Sequence, residues 1–360
     1  MNSNRIAIVG TVGLPANYGG FETLAENLVK FHDASSSPDS ITVYCSSKNY
    51  PTKPRTYLSA QLKYVPLNAN GLQSVPYDIV SLFSAVWNRS DVILLLGVSG
   101  AISLPLIRLF SSARIITNID GLEWRREKWT GFAKQFLRFS EKMAVRFSHQ
   151  IITDNQAITE YVKHSYGVNS HVIAYGGDHA LTLGVEVDEH SLPENYAFSV
   201  CRIEPENNVH MIIAAFFKLN SHTLVMVGNW NNCEYGRALH KKYATCDNIF
   251  LLEPIYDLGK LKTLRSRALF YIHGHSAGGT NPSLVEAMHF EKPVLAFDCN
   301  FNHHTTEGQA YFFKNSEELQ HLIKTIDLDD ANKMAKQMLE IAERRYTWYI
   351  VAQQYFTLLR

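Results

Sequence analysis

The chain has 360 residues, of which 46% are hydrophobic and 19% are charged; these proportions are typical of a folded globular protein and exclude an intrinsically disordered one. This length is more than one hydrophobic core usually supports, so it predicts two domains. The 34 lysines and arginines balance the 34 aspartates and glutamates, which gives the molecule no overall attraction for nucleic acid, and we expect no nucleic-acid partner.

Short β-branched runs alternate with amphipathic helical stretches through the first half of the chain. These runs begin at Ile6, Ile41, Leu62, Val92, Ala113, His149 and His171. Strands this apolar, separated by helices, predict a parallel sheet that is covered on both faces. We therefore assign residues 1–185 to an N-terminal Rossmann-like domain.

A glycine-rich loop, residues 10–22, lies between the first predicted strand and a helix predicted over residues 23–31. Backbone amides at a helix start can hold an anion, and glycine lets a ligand approach closely, so Gly13, Gly19 and Gly20 are candidate ligand contacts. The spacing is not G-x-G-x-x-G and no acidic residue ends the second strand, which argues against a dinucleotide site. The alternative is a strand-to-helix turn that holds no ligand.

Residues 125–147 form a basic amphipathic stretch with seven lysines or arginines and two glutamates, a net charge of +5. Helical spacing places apolar side chains on one face and cations on another. The apolar residues are Phe132, Phe136, Phe139 and Met143, and the cations are Lys134, Arg138, Lys142 and Arg146. This pattern predicts binding to an anionic membrane surface. The alternative is that the apolar face belongs to the core and the basic face is merely solvated.

Around residues 184–194 the sequence becomes polar and loses its periodicity, which predicts the connection between two domains. Apolar runs then resume at Tyr196, His222, Asn248, Ala268, Pro293 and Ala310, with helical stretches between them. This pattern predicts a second doubly wound α/β domain over residues 186–345. Residues 346–360 have helical apolar spacing, and we expect this last helix to pack back on the N-terminal domain.

The segment 273–288, HGHSAGGTNPSLVEAM, follows a predicted strand and so lies at the sheet edge where open α/β folds bind ligands. Asn281 is a favourable N-cap and Pro282 suits the first helical position. The backbone amides near Gly279 and Thr280 could then hold a pyrophosphate. The candidate contacts in this segment are His275, Gly278, Gly279, Thr280, Asn281 and Glu286.

Two charged side chains strengthen this site. Glu286 lies about one turn into the predicted helix, where it could accept hydrogen bonds from ribose hydroxyls; the alternative is an exposed helix glutamate. Arg202 follows the first strand of the second domain and offers a guanidinium that suits bidentate contact with phosphate. Together with the 273–288 segment they predict a nucleotide diphosphate site.

Two patterns could indicate a metal, and neither fits one well. The histidine pairs, His273 with His275 and His303 with His304, lack H-E-x-x-H spacing and companion cysteines. The D-x-D pattern at residues 327–329 lies between helices and predicts a solvated helix cap. We therefore expect no metal cofactor, and we expect the first histidine pair to line the donor pocket.

No segment of the sequence indicates export or a membrane span. The N-terminal residues enter directly into a strand pattern, without the charged region or the apolar stretch of a signal peptide. The most apolar run, residues 92–98, is far shorter than the roughly 20 residues that cross a bilayer. The five cysteines are scattered and form no C-x-x-C pair, which argues against disulfides and a zinc site. We therefore expect a cytoplasmic protein.

Four segments resemble a known enzyme family: NYGGFET, DGLEWRREKW, CRIEPENN and HGHSAGGTNPSLVEAM. With the chain around them they resemble the retaining glycosyltransferases of family 4, and in particular a bacterial subgroup that includes rhamnosyltransferases of capsule and O-antigen assembly. The resemblance covers nearly the whole chain. It implies the GT-B fold, in which two Rossmann-like, doubly wound parallel-sheet domains of the α/β class face a cleft.

The resemblance also implies an activity and its partners. The enzyme would move a sugar, with L-rhamnose from dTDP-rhamnose as the best candidate, to a lipid-linked oligosaccharide in cell-surface polysaccharide synthesis. Residues 1–185 would bind the acceptor and residues 186–345 the nucleotide sugar. The lipid-linked acceptor implies a peripheral location on the inner face of the plasma membrane, where residues 125–147 would bind.

Candidate catalytic residues follow from the same resemblance. In the family an arginine and a lysine hold the diphosphate; Arg202 matches the arginine, but Asn207 stands where the lysine is expected. Two glutamates separated by seven residues contact the transferred sugar and the ribose; Glu286 matches the second, and Gly278 occupies the place of the first. Asp120 stands where the family usually has a histidine that faces the donor sugar. The lost charge and acceptor suit a 6-deoxy sugar such as rhamnose.

Two other functions remain open from the sequence. A GT-B epimerase or hydrolase of nucleotide sugars would need carboxylates that act as acid and base. A non-catalytic protein that binds sugar nucleotides is compatible with Asn207 and Gly278, because these residues replace two polar groups of the family's site.

Overall fold

The chain divides into two units, each built on its own β-sheet. The N-terminal unit contains Met1–Tyr175 and Trp348–Arg360, and the C-terminal unit contains Gly176–Thr347. The structure, a computed structural model, describes residues 3–16, 19–119, 121–125, 131–182, 184 and 192–360, and of residues 72 and 123 the backbone alone. Asp120, one of the predicted catalytic residues, therefore lies outside the described residues.

An eight-stranded sheet forms the centre of the N-terminal unit. Its strands are β1 (Arg5–Val9), β2 (Ser40–Ser46), β3 (Thr56–Tyr57), β4 (Ala60–Val65), β5 (Val92–Leu96), β6 (Arg114–Ile119), β7 (Gln150–Thr153) and β8 (His171–Val172). Their order is β3-β4-β2-β1-β5-β6-β7-β8; β3 and β4 pair antiparallel, and the other neighbours pair in parallel. Because β1 lies inside the sheet, the chain winds outward from it in both directions, as the predicted doubly wound fold requires.

Helices cover the sheet of the N-terminal unit. They are α1 (Gly20–Ala34), α2 (Ser74–Trp87), α3 (Leu104–Phe110), α4 (Gly131–Phe147) and α5 (Gln156–Tyr166). The helices α2, α3 and α4 share one core cluster with the sheet, in which Tyr77, Leu104 and Ala144 pack with Val9 and Leu95. Every residue of β5 is buried, as its unbroken apolar run predicts.

A six-stranded parallel sheet forms the centre of the C-terminal unit. Its strands are β9 (Ala197–Val200), β10 (Leu224–Val227), β11 (Ile249–Leu252), β12 (Phe270–His273), β13 (Val294–Phe297) and β14 (Tyr311–Phe313), in the order β11-β10-β9-β12-β13-β14. Its helices are α6 (Val209–Lys218), α7 (Glu234–Tyr243), α8 (Leu258–Arg267), α9 (Pro282–Met288), α10 (Asn300–Thr305), α11 (Ser316–Thr325) and α12 (Leu328–Arg345). The winding direction reverses between β9 and β12, and ligands bind at such a reversal in open α/β sheets.

The last helix, α13 (Trp348–Leu359), belongs to the N-terminal unit. It packs on α1, where the rings of Phe31 and Phe356 stack with centroids 5.5 Å apart. The amide of Asn118 in β6 donates to the hydroxyl of Tyr355 at 2.6 Å. This helix therefore supplies core side chains to the N-terminal unit, although the whole C-terminal unit lies between the two in the sequence.

The segment from residue 176 packs against α9. Gly177 donates its backbone N–H to the carbonyl of Tyr346 at 2.7 Å, and a Cβ at Gly177 would lie 2.7 Å from the backbone nitrogen of Glu286. These contacts place the segment in the C-terminal unit. The two units are therefore divided after residues 175 and 347. The divisions predicted from the sequence lay after residues 185 and 345.

Candidate functional site

Arg202 lies in the loop after β9, at the carboxyl edge of the C-terminal sheet. Its side chain is 45% exposed, and its Nε lies 3.8 Å from the carboxylate of Glu204. A contact of that length is too long for a hydrogen bond. The guanidinium is therefore accessible to an anion from solvent, as the predicted phosphate contact requires.

Asn207 connects this loop to the loop after β12. It is buried, its Nδ2 donates to the carbonyl of Arg202 at 2.7 Å, and its Oδ1 pairs with Nδ1 of His275 at 2.7 Å. One neutral side chain thus fixes the backbone beside the predicted phosphate ligand and the imidazole of a predicted pocket residue. A lysine has no acceptor atom for the imidazole N–H. The departure from the family pattern at residue 207 therefore has a structural role in this chain.

The turn before α9 is shaped by Gly278, which has a φ of 107°. A Cβ at this position would lie 3.2 Å from Nε2 of His275. Residues with a side chain rarely adopt such a φ. A glutamate at residue 278, which the resemblance leads one to expect, would therefore need a different backbone here.

The start of α9 follows the prediction. The side chain of Asn281 accepts a hydrogen bond from the backbone N–H of Ser283 at 3.0 Å, and Pro282 occupies the first turn. The predicted roles of Asn281 as the N-cap and of Pro282 at the helix start are confirmed. Gly279 and Thr280, just before the cap, are buried at the carboxyl edge of the sheet.

Glu286, the predicted ribose contact, has its carboxylate between two basic side chains. Nη2 of Arg265 donates to Oε2, and Nε2 of His179 lies 3.4 Å from Oε1. Burial alone would raise the pKa of this carboxyl, but the charges and hydrogen bonds of Arg265 and His179 outweigh burial and hold the pKa below its usual value. The Glu286 side chain keeps 16% of its surface exposed. The alternative of an exposed, unengaged helix glutamate is therefore wrong.

Arg265 and His179 were not predicted as site residues. Arg265 lies in the last turn of α8 and is 3% exposed; its Nε and Nη1 have no hydrogen-bond partner within the described chain. His179 comes from the segment after residue 176. The two reach Glu286 from separate elements, so no local spacing links them. Burying an arginine with only part of its donors paired costs free energy. The pairing with the Glu286 carboxylate offsets part of that cost, which indicates that Arg265 is kept here for this carboxylate.

His273 lies at the end of β12 and is buried. Burial lowers its pKa to about 3, so the imidazole is neutral at neutral pH. Its ring stacks on Tyr271 at 5.9 Å and lies 6.0 Å from the ring of His275. Among the residues that the structure describes, none pairs with its Nε2.

The glycine-rich loop lies in the N-terminal unit and is fastened by Glu22. This buried carboxylate accepts hydrogen bonds from the backbone N–H of Val12 at 2.7 Å and from the hydroxyl of Thr11 at 3.1 Å. Gly19 has a φ of 134°, and a Cβ there would lie 1.9 Å from the Glu22 carboxylate, so the structure of the unit itself already requires that glycine. This role of Glu22 was not predicted from the sequence.

The other two candidate glycines of the loop, Gly13 and Gly20, differ in whether packing inside the unit requires a glycine. A Cβ at Gly13 would lie 2.7 Å from the side chain of Cys45, so that glycine is also required by internal packing. A Cβ at Gly20 would lie 3.5 Å from the ring of Tyr175, which is ordinary contact. Gly20 is thus the loop glycine whose own unit does not demand it, and a ligand contact remains the prediction for it.

The basic stretch is a helix from residue 131, and residues 126–130 lie outside the described residues. Lys134, Arg138, Lys142 and Arg146 are exposed, as predicted. The alternative that the apolar face belongs to the core is wrong for Phe132 and Phe139, which are 82% and 49% exposed. The buried residues are Leu137, Ser140, Glu141, Ala144 and Val145. Glu141 can lie inside because Trp124, Tyr161 and Tyr166 donate to its carboxylate at 2.6–3.0 Å.

The described residues contain neither a metal-binding cluster nor a membrane-spanning helix. No group of three or more histidine, cysteine, aspartate and glutamate side chains lies close enough there to hold a metal ion. None of the helices in the described ranges is both long and apolar enough to span a bilayer. Asp327, part of the D-x-D pattern, accepts from the backbone N–H of Asp329 at 2.8 Å as the cap of α12, which confirms the prediction of a helix cap.

Family models match both halves of the chain. Residues 3–178 match the model described as Domain of unknown function (DUF1972), and residues 186–345 match the model described as Glycosyl transferases group 1. No curated protein matches the chain.

Solved structures match the fold over nearly the whole length. A sucrose-phosphate synthase from Thermosynechococcus elongatus has a TM-score of 0.81 at 15% identity, with 99% of this chain and 98% of that chain covered. A glycosyltransferase from Rickettsia africae has a TM-score of 0.75 at 12% identity, with 100% and 98% covered. The catalytic domain of starch synthase IV from Arabidopsis thaliana, bound to ADP and acarbose, has a TM-score of 0.70 at 13% identity, with 99% of both chains covered.

At these identities the solved structures are similar in fold alone. They confirm the predicted α/β class with two parallel-sheet domains of the GT-B kind. The match to Glycosyl transferases group 1 covers the unit that carries Arg202, Asn207, Arg265 and Glu286. The protein is a glycosyltransferase.

Proposed function

We propose that this glycosyltransferase is a retaining enzyme of family 4 that transfers a sugar from a nucleotide diphosphate to a lipid-linked oligosaccharide in cell-surface polysaccharide synthesis. The best candidate for the donor is dTDP-rhamnose. The observation that carries the donor site is the carboxylate of Glu286, which Arg265 and His179 keep ionised and oriented while part of it stays exposed.

Each proposed role uses the chemistry of one group. Glu286 has lone pairs left beside Arg265 and accepts hydrogen bonds from the ribose hydroxyls. Arg202 contacts the diphosphate, and the backbone amides near Gly279 and Thr280 add donors to the same phosphates. The neutral Asn207 replaces a positive charge in this place, so the diphosphate is met by fewer cations than in the wider family.

In the proposed reaction the bond from the sugar C1 to the diphosphate oxygen breaks, and the acceptor hydroxyl oxygen bonds to C1 on the same face. The proton of that hydroxyl passes to the departing phosphate oxygen, so no enzyme nucleophile takes part. The protein then contributes positioning and stabilisation of charge on the leaving group. Arg202 serves the leaving diphosphate; Asp120 keeps its predicted role at the reacting centre, and Gly13, Gly19 and Gly20 keep their predicted role as ligand contacts. No metal takes part in this proposal.

The sugar pocket is proposed to suit a 6-deoxy sugar. Gly278 presents no side-chain acceptor, and His275 beside it is already paired with Asn207. A sugar with one hydroxyl fewer leaves fewer polar groups to satisfy on binding, and unsatisfied polar groups are costly. This supports rhamnose over a hexose with a 6-hydroxyl.

The acceptor and the location are proposed together. The exposed cations of α4, such as Lys134 and Arg138, support peripheral binding to the anionic inner face of the plasma membrane. A lipid-linked acceptor presents its sugar close to that surface, so binding there brings enzyme and acceptor together.

The test uses the purified chain with labelled dTDP-, UDP- and GDP-sugars, with and without a membrane extract that contains lipid-linked saccharides. The proposal expects release of free nucleotide, and label in the lipid fraction, when the extract is present. Nucleotide release without acceptor would indicate a hydrolase, and isomerised donor an epimerase. Binding with no turnover under any condition would indicate a non-catalytic protein. A thermal-shift series with dTDP, UDP and GDP identifies the base, because a ligand that binds the native state raises its apparent stability.

A further inference from the structure

The outer surfaces of three helices in the N-terminal unit, α2, α3 and α4, carry large exposed apolar side chains. On α2 these are Phe83 and Trp87, on α3 Leu109 and Phe110, and on α4 Phe132 and Phe139. Trp87 is 86%, Phe110 77% and Leu109 76% exposed. Large apolar side chains gathered on one surface mark sites that bind a protein or a membrane. We name the exposed residues of α2, α3 and α4 the three-helix face.

The three helices pack side by side, so their outer surfaces adjoin. α3 contacts both α2 and α4. The inner residues of all three meet in a single core cluster against the sheet, to which Leu82, Ile107 and Ala144 belong. The exposed side chains of all three helices therefore lie on the same side of the unit, opposite that shared core.

The charge of the three-helix face has one sign. Its exposed cations are Arg108, Lys134, Arg138, Lys142 and Arg146. Every residue of these three helices is described, and their carboxylates are Asp78 and Glu141 alone, 3% and 1% exposed. The face is therefore apolar and positive, with no exposed negative charge from the helices that form it.

We propose that the three-helix face binds an anionic lipid bilayer and that Trp87, Leu109 and Phe110 insert into it beneath the headgroups that the lysines and arginines contact. Aromatic and aliphatic side chains beside cations are the combination that interfacial membrane binding uses. A second copy of the chain fits the face poorly, because pairing two such faces would bring their cations together. The inference rests on the peripheral location in the proposed function and extends it from adsorption by α4 to insertion by α2 and α3.

Insertion and adsorption respond differently to salt. The attraction between cations and anionic headgroups is screened within about 10 Å at 0.1 M salt and within about 3 Å at 1 M. The transfer of apolar side chains out of water is not screened in this way. Membrane binding by the three-helix face therefore has a part that salt removes and a part that salt leaves.

The test floats the full chain with vesicles of phosphatidylglycerol and phosphatidylcholine, or of phosphatidylcholine alone, at low and high salt. Wild type is expected to float with the anionic vesicles and to stay partly bound after transfer to about 1 M salt. The triple variant Trp87→Ser, Leu109→Ser, Phe110→Ser is expected to lose that salt-resistant fraction, with a vesicle partition at least about ten-fold lower. The variant with glutamine at residues 134, 138, 142 and 146 is expected to lose the salt-sensitive fraction.

A second readout follows insertion directly. Brominated lipids quench tryptophan that lies among the acyl chains, so the part of the quenching that Trp87 contributes is expected to be lost in Trp87→Phe while flotation persists. Matched controls are Tyr256→Ser and Leu328→Ser, whose side chains in the other unit are 64% and 79% exposed; these are expected to float as wild type does. Equal flotation of the triple variant and wild type at both salt concentrations overturns the proposal. A wild-type dimer in sedimentation velocity that the triple variant dissolves, without vesicle binding by either, also overturns it in favour of self-association.

Failure of the proposed function is distinguishable from failure of this inference. The triple variant is expected to bind nucleotide diphosphate as wild type does, because its three substitutions lie in the N-terminal unit, whereas Arg202 and Glu286 belong to the C-terminal unit. A chain that inserts into vesicles but transfers no sugar to any lipid-linked acceptor keeps the membrane face and loses the proposed acceptor.

Discussion

Arg265 donates a hydrogen bond to Glu286 from a position where 3% of its side chain is exposed. The Glu286 carboxylate keeps 16% of its surface exposed. The arginine is therefore buried behind the carboxylate, which it keeps ionised and oriented. This makes Arg265 a positioning residue for a ligand contact, without requiring that it touch the ligand itself.

The Arg265–Glu286 pair is expected to be coupled in stability. Arg265→Met leaves the partly buried carboxylate of Glu286 with His179 as its basic neighbour and should lower the free energy of unfolding by about 2 kcal/mol. The double variant Arg265→Met, Glu286→Gln removes both charges and should be more stable than Arg265→Met alone. Urea unfolding of wild type, the single variants Arg265→Met and Glu286→Gln, and the double variant measures this coupling. Strictly additive losses would show that the two charges do not interact.

Nucleotide binding is expected to depend on both Arg202 and Glu286. Arg202→Ala and Glu286→Ala each remove a charged hydrogen-bonding group, which should cost about 1.5–3 kcal/mol, a roughly ten- to hundred-fold rise in Kd for the nucleotide diphosphate. Isothermal calorimetry measures the affinity, and circular dichroism checks that the fold survives. Arg267→Ala is the control, since this exposed arginine ends α8 just before β12, at the opposite edge of the sheet. Unchanged affinity in both site variants would remove these residues from the site.

His273 is expected to make stability depend on pH. Its folded-state pKa of about 3 lies below that of the unfolded chain, about 6.5, so the unfolded state takes up a proton first as the pH falls. The free energy of unfolding should therefore decrease from about pH 6.5 toward pH 3. His273→Phe keeps the ring on Tyr271 and should flatten this dependence between about pH 7 and 5. The measurement is urea unfolding at a series of pH values; curves of equal slope for the two proteins would contradict the expectation.

Transfer is expected to persist in excess EDTA, because the proposed site meets the diphosphate charge with Arg202 and backbone amides. The assay is label transfer to lipid-linked acceptor after dialysis against chelator. A manganese-dependent enzyme run in parallel shows that the chelator is effective. Complete loss of activity that manganese restores would mean that a metal takes part.

Most strands were predictable because they carry short apolar or β-branched runs, and every run identified in the sequence contains a strand of one of the two sheets. β3, Thr56–Tyr57, was missed because it follows the polar segment 51–55 and belongs to no apolar run. In α4 the aromatic spacing identified an apolar face but not which residues are buried, which are Leu137, Ser140, Glu141, Ala144 and Val145. The carboxylate of Glu141 lies inside because Tyr161 and Tyr166 on another helix donate to it, and helical periodicity carries no information about such partners.

The site residues likewise include some that the sequence predicts and some that it does not. Asn281 and Pro282 were predictable as a helix start because caps are local. Arg265 and His179 were not, because each reaches Glu286 from a different part of the chain. The exchange of the family's lysine for Asn207 was visible in the sequence, but its pairing with His275 depends on two loops that only the sheet brings together.

The position of α13 has a consequence for the order of folding. During synthesis the N-terminal unit emerges first, yet Tyr355 and Phe356, which pack against Asn118 and Phe31, follow only after Gly176–Thr347 has been made. At about 5–20 residues per second this leaves the core face of α1 uncovered for roughly ten seconds or more. The part of the protein that is translated first is thus completed only after the C-terminal unit has been translated.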